Sequence, residues 1–246
     1  MKITFLGTSH GVPSASRYCS SALVECGDNV YLIDGGAPVA DLLIRYGIPY
    51  EKLRGVFVTH MHSDHTFGLL HLCSLADWYF RQSSFDVFLP EEEGIDAFRR
   101  LLLVSDKSFD EERIRLKKSC SGVMYADGCL TVTAIPTRHL NDGFPSFAYL
   151  LEGEGKRVVF TGDLHGQDAA DFPVPALQQP SDAIVCEMAH FGPEVIFPYV
   201  EQCPTKSFLF NHIYDSDGEA FREIEALNDR LPIPVIAVSD GDVFQV

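Results

Sequence analysis

Thr59-His60-Met61-His62-Ser63-Asp64-His65 places three histidines and one aspartate within six positions. Upstream, Gly55-Val56-Phe57-Val58-Thr59 is apolar and β-branched without a break, the composition of a short buried strand. Downstream, Thr66-Phe67-Gly68-Leu69-Leu70-His71-Leu72 returns to apolar residues at helical spacing. The cluster therefore belongs to a strand-to-helix turn, where side chains can converge on a cleft. Three imidazoles and a carboxylate match the donor set preferred by zinc and its neighbours. In an extended segment His60 and His62 fall on one side, because strand side chains alternate. Asp64 and His65 follow the turn and can face a second cation. Packing alone gives no reason to gather so many titratable groups at one strand end.

Four more polar residues sit where apolar runs stop. Ser20 to Glu25 and Asn29 to Asp34 read as a hairpin around Gly27-Asp28, and Asp34-Gly35-Gly36 closes its second strand. Leu130 to Ile135 is a strand that delivers Arg138-His139. Val158-Val159-Phe160-Thr161 ends in Gly162-Asp163, and Phe208-Leu209-Phe210-Asn211 ends in His212. Between the last two, the buried strand Ala183-Ile184-Val185-Cys186-Glu187 is followed by His190. Helices are expected over Val39–Tyr46, from the metal loop to Arg81, over Glu91–Val104 and over Ser216–Leu227. The stretch Ser105–Lys118 is charged and mixed, and reads either as a mobile segment or as a lid. The aromatic run at Trp78 suits either core packing or a pocket wall. His10, His71 and His165 are read as loop or structural residues outside the chemistry.

With 246 residues, 46% of them hydrophobic and 18 of them Phe, the chain can bury a sizeable core. No repeat or linker divides it, so one domain over 1–246 is expected. The net charge of −16 does not suit tight binding to a phosphate backbone, which argues against tRNA as a partner. The seven cysteines are odd in number and form no Cys-x-x-Cys pair, consistent with reduced core thiols in a cytoplasmic protein. The N-terminal Lys2-Ile3-Thr4-Phe5-Leu6 is strand-like rather than a signal sequence. No apolar run approaches the ~20 residues of a membrane-spanning helix.

His-x-His-x-Asp-His, with one strand-end position ahead of it and three behind it in order, resembles the metallo-β-lactamase superfamily, in its RNase Z-like phosphodiesterase branch. The resemblance implies an α/β fold, a four-layer αββα sandwich with metals at the edge where the two sheets meet. It implies two divalent cations per chain, Zn²⁺ in preference to Mn²⁺. One would be held by His60, His62 and His139, the other by Asp64, His65 and His212. Asp163 would bridge them, and Asp34 would steady the metal loop from behind. Asp64, Asp163 and His190 are the expected catalytic residues, His190 as proton donor to the leaving group.

The implied activity is metal-dependent hydrolysis of a small phosphodiester, such as a cyclic phosphate or cyclic nucleotide. A water shared by two cations would ionise near neutral pH and attack phosphorus. RNase Z carries a long arm that grips tRNA, and the interval from Asp163 to His212 leaves no room for one. The alternative is a thioester or lactone hydrolase similar to glyoxalase II, although the helical C-terminal domain of that enzyme has no counterpart after His212. A non-catalytic metal-binding protein fits less well, because all seven ligands are present. Dimers are frequent in this superfamily, which makes a homodimer an expectation.

Overall fold

The computed structural model describes residues 1–140, 143–166, 168–174, 178–214 and 218–246. Two seven-stranded sheets face each other. The first contains β1 (Lys2–Gly7), β2 (Ser21–Cys26), β3 (Asn29–Ile33), β4 (Leu53–Phe57), β5 (Phe85–Leu89), β6 (Ile114–Lys118) and β14 (Val243–Gln245), in the order β14-β1-β2-β3-β4-β5-β6. The second contains β7 (Gly122–Ala126), β8 (Thr131–Thr137), β9 (Ser146–Gly153), β10 (Lys156–Phe160), β11 (Ala183–Met188), β12 (Phe208–Ile213) and β13 (Val235–Ala237), in the order β13-β12-β11-β10-β9-β8-β7. β1 to β3 pair antiparallel, and β3 to β6 run parallel. The second sheet repeats this plan: β7 to β10 are antiparallel and β10 to β13 parallel.

Parallel strands need crossovers, and helices supply them. On the first sheet these are α1 (Val39–Arg45), α2 (Ser63–Thr66), α3 (Gly68–Trp78) and α4 (Glu92–Asp106). On the second they are α5 (Pro193–Gln202) and α6 (Glu219–Asn228). The Ser216 start expected for the last helix lies outside the described residues.

Strand alternation divides the core into three apolar layers. Ile3, Phe5, Val24, Tyr31, Ile33 and Phe57 face Leu130, Val132, Tyr149, Leu151, Val158 and Phe160 across the middle of the sandwich. Their sequence neighbours Leu23, Leu32 and Val56 point outward, onto Leu42, Leu43, Leu69 and Leu72 of the helices. Val159, Ile184 and Cys186 pack outward beneath Ile196, Val200 and Ile224. Both faces of the central strands are covered, hence their continuous apolar runs. This is the expected αββα sandwich. Phe57 stacks on Phe88 with centroids 5.2 Å apart, and truncating such a ring to Ala costs about 3–5 kcal/mol.

Four outcomes differ from the sequence reading in whole or in part. Ser105–Lys118 is neither mobile stretch nor lid throughout: its last five residues form edge strand β6, held by Arg115 and by Lys117 (2.7 Å) on the buried Asp86. The helix after the metal loop ends at Trp78 instead of Arg81. Of the aromatic run, Phe80 does pack against the core, stacked on Tyr50 with centroids 4.1 Å apart, whereas Trp78 is 46% exposed and borders a surface hollow with Arg81, Phe109 and Arg113, away from the metal cleft. All seven cysteines are free thiols, but Cys120 is exposed and Cys19 and Cys129 are half-buried, so only four are true core thiols. Among the described residues no helix is long and apolar enough to cross a membrane.

Candidate metal centre

The parallel strands aim their carboxyl ends at one edge, the usual place for a ligand site in such sheets. Asp34 follows β3, His60 to His65 follow β4, and Asp163 follows β10. Glu187 is the last residue but one of β11 with His190 just beyond, and β12 carries His212. His139 arrives at the same edge from the antiparallel strand β8. Hydrogen bonds seal the two sheets together here. Phe147 N donates to Thr59 O (2.9 Å) and the Tyr149 hydroxyl to Val58 O (2.6 Å).

All seven expected ligands come together. His60, His62, His139 and Asp163 form one group, and Asp64, His65 and His212 another; within each, donor atoms lie within 4.8 Å of one another. Asp163 Oδ2 is the shared centre. It lies 3.7 Å from His60 Nε2, 3.6 Å from His65 Nε2, 3.7 Å from His139 Nε2 and 3.4 Å from His212 Nε2. Asp64 Oδ2 sits 3.4 Å from His65 Nε2 and 3.8 Å from His212 Nε2.

The imidazoles are oriented from behind. His65 Nδ1 lies 2.8 Å from Asp34 Oδ2, His212 Nδ1 lies 2.8 Å from Ser20 Oγ, and His139 Nδ1 lies 3.1 Å from the Leu164 carbonyl. Each partner leaves Nε2 facing Asp163, the arrangement by which outer contacts fix metal-binding histidines. His60 Nε2 and His65 Nε2 are buried without a hydrogen-bond partner. A buried nitrogen left unpaired is costly, and a cation would satisfy both. The donor set of nitrogens and carboxylates therefore fits divalent metal.

Burial, with His65 nearby, holds the His60 imidazole well below its usual range, in the neutral form that binds metal. Burial also lowers His65, but the carboxylates of Asp163 and Asp34 outweigh it and hold that ring well above its usual range. Burial opposes charge on Asp163, yet His212, His65 and His60 keep its carboxyl well below the usual carboxylate range.

Local backbone explains how these side chains fit. Glu187 pairs with Asn211 and Met188 with Ile213, so His212 is the extra residue of a β-bulge. Its φ of 48° is left-handed, and a bulge re-aims the side chain it carries. Sequence spacing put His212 at a strand end and could not reveal the bulge. A Cβ on Gly36 would come 2.2 Å from the Asp64 carbonyl oxygen, so only glycine lets the Asp34 loop pass the metal loop.

Besides Ser20, two residues escaped the sequence reading. Thr59 donates its backbone N–H (2.7 Å) and hydroxyl (3.0 Å) to Asp34, locking that carboxylate. Glu187, 1% exposed, accepts from Leu164 N, Ala189 N and His190 N, and contacts His190 Nδ1 at 2.9 Å. The available signal was its place at the end of an apolar strand, as with Asp34 and Asp163. Burial would lower the His190 pKa, but Glu187 outweighs burial and raises it. His190 Nδ1 stands 3.9 Å from Asp163 Oδ2. His71, exposed beside Asp41, and His165, paired with Asp168, stand apart from this constellation.

The family model described as "Anti-Pycsar protein Apyc1" matches residues 1–171. The chain belongs to the Anti-Pycsar protein Apyc1 family. This match takes in the Apyc1-family residues from Asp34 to Asp163 and stops before Glu187, His190 and His212. The chain is also 33% identical over 156 residues to a ribonuclease Z of Acaryochloris marina (strain MBIC 11017), covering 62% of this chain and 48% of that protein. It thus spans about half the length of the curated relatives it matches.

Among solved structures it is similar to the metallo-β-lactamase fold protein YhfI from Bacillus subtilis, with TM-score 0.80, 19% identity and coverage of 99% of this chain and 98% of that one. Human tRNase Z, short form, gives TM-score 0.78 at 18% identity over 100% of this chain and 99% of that one. The fold of this Apyc1-family chain is therefore the metallo-β-lactamase fold. The expectation against tRNA finds no support beside relatives named ribonuclease Z. Net charge describes the whole surface, whereas a substrate meets the potential of one cleft.

Proposed function

We propose that the chain is a two-metal phosphodiesterase acting on a small phosphodiester, with a cyclic nucleotide as the favoured class, and that its residues form one domain. The observation that carries this reading is the single oxygen of Asp163 set among four histidine Nε2 atoms at 3.4–3.7 Å. Such a hub suits a carboxylate shared by two cations. His60, His62 and His139 would hold one, Asp64, His65 and His212 the other, and zinc is the favoured metal for this nitrogen-rich set. Two divalent cations bound there would supply an acidified water and positive charge beside the phosphoryl oxygens.

The chain's own groups do the rest. Asp34, Ser20 and the Leu164 carbonyl hold three imidazoles in register. Asp64 and Asp163 offset the positive charge of the site. The Glu187 carboxylate keeps a proton on His190 Nδ1 and leaves Nε2 to hand a proton to the departing alkoxide. His190 rather than a further acidic group is suited to this, because its pKa is raised from a value already near neutrality.

The test is hydrolysis by zinc-loaded protein of 3′,5′-cyclic nucleotides, bis-p-nitrophenyl phosphate, a tRNA precursor, a thioester and a lactone, beside Asp163→Ala. Cyclic nucleotide turnover lost in Asp163→Ala supports the reading. Turnover only of the thioester or lactone would replace it with carbon-ester hydrolysis. Processing of the tRNA precursor alone would replace the small substrate with a polynucleotide.

A further inference from the structure

His10 and Tyr214 come from opposite ends of the chain and meet at the rim of the metal centre. Ser9 forms a parallel bridge with Ile213, so the next residue on each strand lies side by side. Their rings pack edge to face, with centroids 4.8 Å apart and planes at 89°. The location is close to the chemistry. Tyr214 is two residues beyond His212, and a Cβ built on Gly11 would stand 3.4 Å from Asp64 Oδ2. Yet Tyr214 is 57% exposed. A large ring held at a fixed angle but left open to solvent, beside a buried polar centre, is a poor contribution to the core. It is suited to receive another flat ring.

Resting on the phosphodiesterase reading, we infer that Tyr214, braced by His10, is a specificity-determining platform on which the planar base of a nucleotide substrate stacks. The phosphodiester and the base of one nucleotide are separated by a single sugar. That spacing suits a reacting phosphorus beside Asp64 and His212 and a base over the neighbouring Tyr214. Stacking on one aromatic side chain is tolerant of base identity, because every base has a π-face. The platform therefore selects nucleotides over base-free phosphodiesters without choosing strongly among the bases. His10 acts through Tyr214, by limiting the angles its ring can take, and is a positioning residue.

The experiment compares, on zinc-loaded protein, a 3′,5′-cyclic nucleotide with ribose 3′,5′-cyclic phosphate lacking a base. Wild type, Tyr214→Leu, Tyr214→Phe and His10→Ala are assayed together. In Tyr214→Leu the ratio of kcat/KM for the two substrates should fall about ten-fold, through KM rather than kcat. Tyr214→Phe keeps the ring and should keep most of the ratio, and His10→Ala should lie between. A ratio unmoved in Tyr214→Leu, or lost equally in Tyr214→Phe, overturns the platform. If wild type hydrolyses neither substrate, the phosphodiesterase reading fails, and the platform is then judged by quenching of free 2-aminopurine riboside. Quenching by wild type that disappears in Tyr214→Leu retains it, and its absence from wild type rejects it.

Discussion

His65 Nδ1 lies 2.8 Å from Asp34 Oδ2, and both residues are almost fully buried. The pair joins the end of β3 to the metal loop and fixes which nitrogen of His65 faces Asp163. Thr59 clamps the same carboxylate through its N–H and hydroxyl. Removing such an outer partner weakens metal binding about 10–100-fold. Asp34→Ala should therefore bind zinc that much more weakly in competition with a chromophoric chelator. Unchanged affinity would show that the loop holds His65 without help from Asp34.

Bound metal should raise thermal stability. The cations would occupy His60 Nε2 and His65 Nε2, which have no partner of their own. A ligand at 100 times its Kd stabilises by about 2.7 kcal/mol per site. For a chain of this size that corresponds to a rise of roughly 5–10 °C in Tm for each cation, or about 10–20 °C for two. Calorimetry before and after dialysis against a chelator measures it, and zinc should restore the loss. The double variant His60→Ala/His65→Ala should show no zinc-dependent shift.

His190 separates proton donation from metal binding. It stands 3.9 Å from Asp163 Oδ2, and its Nδ1 is taken by Glu187. A proton donor matters for an alkoxide leaving group and little for p-nitrophenolate. Loss of a positioned acid costs about 100-fold or more. His190→Ala should thus slow cyclic nucleotide hydrolysis by about that factor, slow bis-p-nitrophenyl phosphate hydrolysis far less, and bind zinc at unchanged stoichiometry. Equal losses on both substrates, or loss of one zinc, would make His190 a ligand instead.

The candidate centre was legible in the sequence because each expected ligand follows an apolar run or lies in one dense cluster. The elements that escaped depend on contacts distant in sequence. β14 exists because Val243 to Gln245 pair with β1 at the other end of the chain. β7 is a half-exposed edge strand with a register shift, so its alternation is broken. α5 begins at Pro193, a favoured first-turn position, but Pro198 inside it disguises the helix. His212 reads as a plain strand end, and only the pairing of β11 with β12 exposes the bulge that turns it inward. Glu187 shares the strand-end position of Asp34 and Asp163, but its contacts with Leu164 and His190 arise only in the fold.

The far end of the sandwich is tied by a carboxylate, and its stability should depend on pH. Asp127 accepts hydrogen bonds from the hydroxyls of Tyr31 (2.6 Å) on β3 and Tyr125 (2.9 Å) on β7, so it links the two sheets. It also accepts from Cys129 N and Leu130 N, at 2.9 Å each. Burial would raise its pKa, but the Tyr31 hydroxyl and these other donors outweigh it and hold the carboxyl below its usual value. A folded-state pKa below the unfolded one contributes stability that is present above the unfolded value, about 3.9, and is lost as pH falls through the folded one. Asp127 is largely solvent-exposed, so screening limits the effect to about 1 kcal/mol. Urea midpoints for wild type and Asp127→Asn should differ at pH 7 and converge below about pH 4. A gap that stays constant down to pH 3 would mean that the charge of Asp127 contributes nothing to the tie, leaving only the shape of the side chain.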